Sequence, residues 1–219
     1  MIEVTYVDHM GKDLSVANAA RVSFGKKSDL DWSDPWSPPK LREKDAKLIR
    51  YLAKHEHISP FGHCFASFHV KAPVFVARQL VKHKFLRWNE ISRRYVDSEP
   101  ELYNPAEWRG RSDDKKQGSE GVVLGLDIGD INTMCKKTYN RLLSKGVCPE
   151  QARMVLPQSM MTEWYWSGSL DAFADMCKLR CKPDTQAETR FVADAISEEM
   201  EKLFPVSWEA LTGGKDSEG

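Results

Sequence analysis

Three short β-rich runs set between amphipathic helical segments predict an α+β fold in which helices flank a modest sheet. The chain has 219 residues, enough to bury a real core without disulfide staples. It contains no internal repeat, low-complexity tract or composition shift that would mark a second domain. One domain is therefore expected over residues 1–212, with 213–219 as a frayed tail.

The first strand is expected at Ile2–Val7, before the turn residues His9-Met10-Gly11. Asp13 to about Ser23 carries Leu14, Ala17, Ala20 and Arg21 at helical spacing and stops at Gly25. Residues 25–39 read as a loop whose two tryptophans, Trp32 and Trp36, should pack somewhere. From Lys40 to about His55, Leu41, Leu48, Ile49 and Leu52 mark one helical face. Cys64–Lys71 alternates as a half-buried strand, and Ala72-Pro73 opens a helix with Val76, Ala77 and Leu80 inward. Gln79 and Lys82 are three apart and would look into one pocket.

Residues 97–121 read as a long loop, rich in Gly, Pro and charge. A helix follows from Asp127 to about Lys145, then a short one over Glu150–Leu156 stopped by Pro157. Ser159–Trp166 reads as a buried strand. Ser169 caps a helix to about Arg180 with Leu170, Phe173 and Cys177 inward, and Asp184 caps the last, which ends near Leu203 before Pro205.

Composition narrows the function classes. The 32 basic and 32 acidic residues cancel, which argues against a general nucleic-acid binder, since such domains are basic over a whole face. No apolar run approaches the ~20 residues of a membrane span. The start lacks the pattern of a secretory signal, and five scattered cysteines suit a reducing, cytoplasmic compartment. Cys148, in Val-Cys-Pro, reads as a buried or structural thiol.

Against this balance, Lys82–Tyr95 stands out. Lys82, Lys84, Arg87, Arg93 and Arg94 face the single carboxylate of Glu90, with His83, Asn89, Ser92 and Tyr95 interleaved. Cations suited to a phosphate, mixed with groups that read ring edges, suggest a site for a phosphorylated heteroaromatic compound. The other basis for a local basic run is a solvated surface or an RNA-binding patch.

Several chemistries lack their signatures. There is no glycine-rich dinucleotide or Walker loop, no Gly-x-Ser-x-Gly elbow and no cysteine in a nucleophile context. His55, His57 and His63 lie two and six apart across Ser-Pro-Phe-Gly, a poor metal spacing without further ligands, so no metal is expected. An enzyme built this way would draw its hard chemistry from a cofactor.

Lys82-His83-Lys84, seven residues, then Ser92, with Asn89-Glu90 inside and Arg94-Tyr95 after, resembles the Arg-His-Arg, seven residues, Ser signature of the flavin-dependent thymidylate synthases. Asp13-Leu14-Ser15, Ala20–Phe24, His57-x-Ser59-Pro60-Phe61-x-His63, Phe68–Pro73 with Ala77-Arg78-Gln79, Ala152–Pro157 and Leu179-Arg180 with Gln186-Ala187-Glu188 are similar to the family in the same order. The resemblance implies that family's fold, with a central, mostly antiparallel sheet. It also implies C5 methylation of dUMP, with methylenetetrahydrofolate as carbon donor and hydride from FAD reduced by NADPH, in a homotetramer whose sites are shared between subunits.

Residue by residue, it places Gln79, Lys82, Glu90, Ser92, Arg94, Arg153 and Arg180 at dUMP. Arg94 and Arg153 would hold phosphate bidentately, Ser92 would position the uracil, and Arg180 would stabilise negative charge on it. His57, Ser59, Lys82, His83, Lys84, Asn89, Glu90 and Ser169 fall at the flavin. Four positions depart from the pattern: Lys82 and Lys84 replace Arg, Gly62 replaces Glu, and Asp171 stands where some relatives carry an Arg at the flavin phosphate. An inactive relative that binds uridylate without turnover would also carry these motifs.

Overall fold

The computed structural model describes residues 1–113 and 118–213. Its centre is a four-stranded sheet of β1 (Glu3–Met10), β2 (Phe65–Pro73), β6 (Met161–Ser169) and β3 (Leu86–Glu90), in the order β1-β2-β6-β3. Every pairing is antiparallel. The expected α+β fold is therefore present, with the sheet's apolar face against helices.

Alternation explains which face is buried. Phe68 and Val70 of β2 lie opposite Trp166 and Trp164 of β6, and all four are buried. Trp88 of β3 stacks on Trp164 at 4.3 Å and meets Trp166 edge-on at 5.7 Å. Phe173, from helix α6 (Leu170–Arg180), closes the cluster with edge contacts to Phe68 and Trp166. On the other face Ser67 and Ser167 hydrogen-bond at 2.8 Å, and His69 meets Glu163 at 3.1 Å. Gly168 lets β3 come this close, because a Cβ there would stand 2.4 Å from Leu86 Cδ2.

Around the sheet lie α1 (Asp13–Arg21), α2 (Glu43–Lys54), α3 (Val74–Leu80), α4 (Gly129–Ser144), the short α5 (Pro149–Ala152), α7 (Ala187–Leu203) and α8 (Pro205–Thr212). The buried Asp13 carboxylate accepts hydrogen bonds from the backbone N–H groups of Val206 at 3.0 Å and Ser207 at 2.9 Å. One charged side chain thus satisfies two orphan donors at the start of α8, 193 residues away. Asp45, fully buried on α2, accepts from Arg21 and Ser28 and ties the loop after α1 to both helices.

The structure corrects several expectations. Lys82–Tyr95 contains a strand, β3, in which only Leu86 and Trp88 signal the inner face, too few to announce it among charges. The long loop at 97–121 holds a hairpin of β4 (Trp108–Arg111) and β5 (Ser119–Val123). Pro205 opens a further helix rather than only ending one, since proline suits the first helical turn. Pro73 ends β2, and Ser169 sits at the start of α6 without a side-chain cap bond. Gln186, not Asp184, precedes α7. Trp32 and Trp36 are exposed, as is Cys148. Gly213, the first residue of the tail expected to fray, is left-handed and closes α8, and the rest of that tail, 214–219, falls outside the described residues.

Asp13→Ala removes the cap of α8 and should lower unfolding free energy by about 1–2 kcal/mol. Denaturant titration with an unchanged slope would confirm it, whereas a variant as stable as the parent would show that α8 does not need the carboxylate.

Candidate functional site

The sequence-predicted residues gather in three places. The largest is a cleft of about 820 Å³, whose wall includes Phe75 and Gln79 of α3, Tyr103, Arg109 of β4, Arg180 at the end of α6, and Gln186. Gln79 Nε2 donates to Gln186 Oε1 in a short hydrogen bond. Arg180 Nε donates to His83 Nε2 at 3.0 Å, and its Nη2 approaches the Gln79 carbonyl oxygen at 3.5 Å. A cation is thereby fixed in the wall of a cavity, beside an amide, in a position to meet a polar ring edge.

Burial, and then the neighbouring Arg180 charge, hold the His83 imidazole below its ordinary 6.5. The sign follows from linkage. A base whose folded pKa is depressed contributes fully above the unfolded value, and that contribution is lost as pH falls through the ordinary His range. His83 Nε2 is an acceptor only in the neutral ring.

The cleft's far wall is the β4–β5 hairpin. Arg109 Nη2 donates to both carboxylate oxygens of Glu188 at 2.6 and 2.7 Å, and its Nε to Ser119 Oγ at 2.9 Å. Glu188 is buried near the start of α7, so this pair pins the hairpin over the cleft. Burial and the Glu188 charge push the Tyr103 phenol up.

The second place lies at the end of β3. Glu90, Arg93, Arg153 and Thr162 line a pocket of about 170 Å³. Glu90 accepts from Thr162 Oγ1 at 2.6 Å and Trp88 Nε1 at 3.0 Å. Just beyond, Ser92 Oγ accepts from Arg94 Nε at 3.3 Å, and the Arg94 guanidinium lies 5.0 Å over the Tyr95 ring. Arg153 Nε donates to the Glu150 carbonyl oxygen at 3.2 Å. Neither Arg94 nor Arg153 forms an ion pair among the described residues, which leaves both free for an anion. The buried Arg93 Nε has no partner among them either.

The third place is a cleft of about 740 Å³ containing His57 and Ser59, faced by Phe24, Leu48, Tyr51 and Pro60. Its aromatic and apolar walls suit a flat ring. The His57 ring meets Tyr51 edge-on at 6.2 Å.

Not every expected residue joins these places. Lys82, Lys84 and Asn89 are exposed and line none of the three. The shared pocket for Gln79 and Lys82 does not form, because α3 ends at Leu80 and helical spacing no longer applies. Ser169 is buried at the β6–α6 junction. Two of the departures meet: a Cβ on Gly62 would stand 4.0 Å from Asp171 Oδ1, a buried oxygen with no partner among the described residues. Tyr103, Arg109 and Gln186 had no assigned role from sequence. Only Gln186 carried a signal, as part of a motif; the other two lie in what read as loop.

No three His, Cys, Asp or Glu side chains converge in a metal-ligating group among the described residues, and no described helix is long and apolar enough to cross a membrane.

Residues 5–206 match the profile of a family described as "Thymidylate synthase complementing protein". A flavin-dependent thymidylate synthase of Thermus thermophilus is 40% identical over 212 residues, covering 95% of this chain and 74% of its own. One from Kosmotoga olearia is 38% identical over 219 residues, covering 95% and 89%. A UMP/dUMP methylase, PolB from Streptomyces cacaoi, solved with 5-Br dUMP, superposes with a TM-score of 0.80 at 31% identity over 98% of this chain and 96% of that one.

Arg109→Met would strand a buried Glu188 carboxylate. Since Arg109 is itself partly exposed, the cost should be about 2–3 kcal/mol rather than that of a fully buried pair. Hydrogen exchange should quicken over 108–111 and 118–123, and unchanged protection there would mean that the hairpin is held by other contacts.

Proposed function

The chain belongs to the flavin-dependent thymidylate synthases, and on that premise we propose that it methylates dUMP to dTMP with the following assignment of residues. The observation that carries the assignment is Arg180, held by His83 and the Gln79 carbonyl in the wall of the cleft of about 820 Å³. Gln79 and Arg180 take the uracil. Arg94 and Arg153, with Glu90 ordering the end of β3, take the phosphate, their two uncommitted guanidinium groups providing planar forks for it, and Ser92 positions the ring.

The residues fit a flavin. The His57–Ser59 cleft has the apolar and aromatic walls that a flat ring requires. Lys82 and Lys84 have no carboxylate partner among the described residues and offer charge to a diphosphate, and Asn89 and Glu90 supply polar edges. Lysine gives a point charge where arginine would give a fork, so this end of the cofactor is held less directionally. FAD, when bound, supplies the hydride; NADPH reduces it and methylenetetrahydrofolate gives the carbon.

The protein's own part is electrostatic. For C5 of the uracil to become a nucleophile, negative charge must first build in the ring, delocalised over C5 and the N3 and carbonyl edge. A preoriented guanidinium there lowers the barrier without reorganising at the moment of reaction. Ser92 and Gln79 orient the ring, and the pinned β4–β5 hairpin restricts water from one side of the cleft.

The three places are separate on one chain, and large apolar side chains beside them are exposed, including Phe85 and Tyr95. Both features support a homotetramer in which subunits complete one another's sites. Its free cysteines accord with a cytoplasmic location.

Purified protein should show flavin absorbance at about 450 nm and, with oxygen excluded, oxidise reduced flavin only with dUMP and the folate present. Protein that does not respond to added FAD would refute the reading. Arg180→Ala should cut turnover by about 10²–10³-fold with folding retained; full activity in that variant would show that charge stabilisation lies elsewhere.

A further inference from the structure

Arg180 sits at the last residue of α6, where a long flexible side chain has many rotamers and needs an outside contact to hold one. Two contacts are present. The approach of Nη2 to the Gln79 carbonyl is at 3.5 Å, the outer limit of a hydrogen bond. The Nε–H bond to His83 Nε2, at 3.0 Å and half-buried, is the firmer one. It reaches across from the turn between α3 and β3, whose last residue, Phe85, is held in the left-handed region at φ 63°. A bulky residue at that angle is strained, and such strain collects at functional turns.

We propose that His83 is a positioning residue for Arg180: its neutral ring holds Nε through Nε2, so that the outer guanidinium nitrogens are turned to the uridylate cleft, and protonation of the ring releases them. This rests on the reading of that cleft as the uridylate site.

The chemistry is one-sided. Nε2 accepts only in the tautomer with its proton on Nδ1. Once protonated, both ring nitrogens donate, and a cation then faces a cation. The charge that acts on the ring is Arg180 on α6, and the residues flanking His83 in its own turn are the exposed Lys82 and Lys84. All are positive, so no carboxylate among them stabilises the imidazolium. The contact is therefore intact above the ordinary His range and fails on the acid side. The same turn carries the lysines assigned to the flavin, so one hydrogen bond ties the two ligand sites together.

The test is calorimetric titration of dUMP into the purified protein from about pH 4.5 to about pH 8.5, a window that reaches well below the ordinary His pKa because burial and Arg180 hold the His83 ring below it. The dUMP phosphate also titrates near pH 6, so the readout is the difference between wild type and His83→Gln. Glutamine places an amide oxygen at about the reach of Nε2 and takes up no proton. Wild type should lose up to about tenfold more affinity per pH unit on the acid side than His83→Gln, and His83→Ala should bind about tenfold more weakly at pH 8. An identical acid limb in wild type and His83→Gln, or wild-type affinity in His83→Ala, would overturn the proposal. As a check independent of variant folding, ¹⁵N NMR of the wild-type ring should show the Nδ1–H tautomer at pH 8; an Nε2–H tautomer would overturn it as well. Absence of dUMP binding by wild type at every pH would instead refute the assignment of the cleft, while the tautomer would still report on the His83–Arg180 contact.

Discussion

The stacking of Trp88 on Trp164 is the contact on which the arrangement of the site depends. It converts a stretch dense in positive charge into an edge strand with one apolar face, paired to β6 in a fixed register. Charged residues at alternate positions then point away from the core, where water offsets their charge. Without the indole pair, Lys82–Arg94 would have only five ladder positions and a net repulsion to hold it on the sheet. With it, the strand is a rigid spacer of roughly 15 Å at the usual rise per residue. His83 stands at one end and Glu90, Ser92 and Arg94 at the other.

That spacing divides the Lys82–Tyr95 stretch between two places. The ends of β3 are held apart, so each meets partners from different elements: Arg180 and Gln79 at one, Thr162 and Arg153 at the other. No single element could contribute both sets. Lys82 and Lys84, in the turn that leads into this strand, are exposed in one chain. The uncommitted lysines and the exposed rings near them are what a surface completed by another subunit would present. Asp171 Oδ1, buried and without a hydrogen-bond partner among the described residues, lies where Gly62 leaves room, so two departures from the family pattern form one local feature.

How much could be read in advance depended on the range of the forces involved. Inward spacing of Leu170, Phe173 and Cys177 identified the helix that carries Arg180, and the cap-and-stop pattern from Asp184 to Pro205 the one that begins beside Gln186. The β-rich run at β6 was legible because its tryptophans dominate a short segment. β3 was not, since two inward residues make too short an alternation to read among charges. The β4–β5 hairpin was hidden because its stability comes from Arg109 reaching Glu188, 79 residues away, and local composition carries no trace of such a bond. The start of α8 was missed for a related reason: its cap, Asp13, comes from the other end of the chain.

The sequence by itself determined the fold class, the family and the kinds of residue at the site, because motif identity and hydrophobic period are local properties of the chain. Only the tertiary structure decided which of those residues meet. It put His83 on Arg180, separated Lys82 from Gln79, and placed Gln186, Tyr103 and Arg109 in the same cleft. The physical reason is that a hydrogen bond at 3.0 Å depends on strand register and helix ends to within a residue, and those are set by packing between distant segments rather than by any segment's own preference.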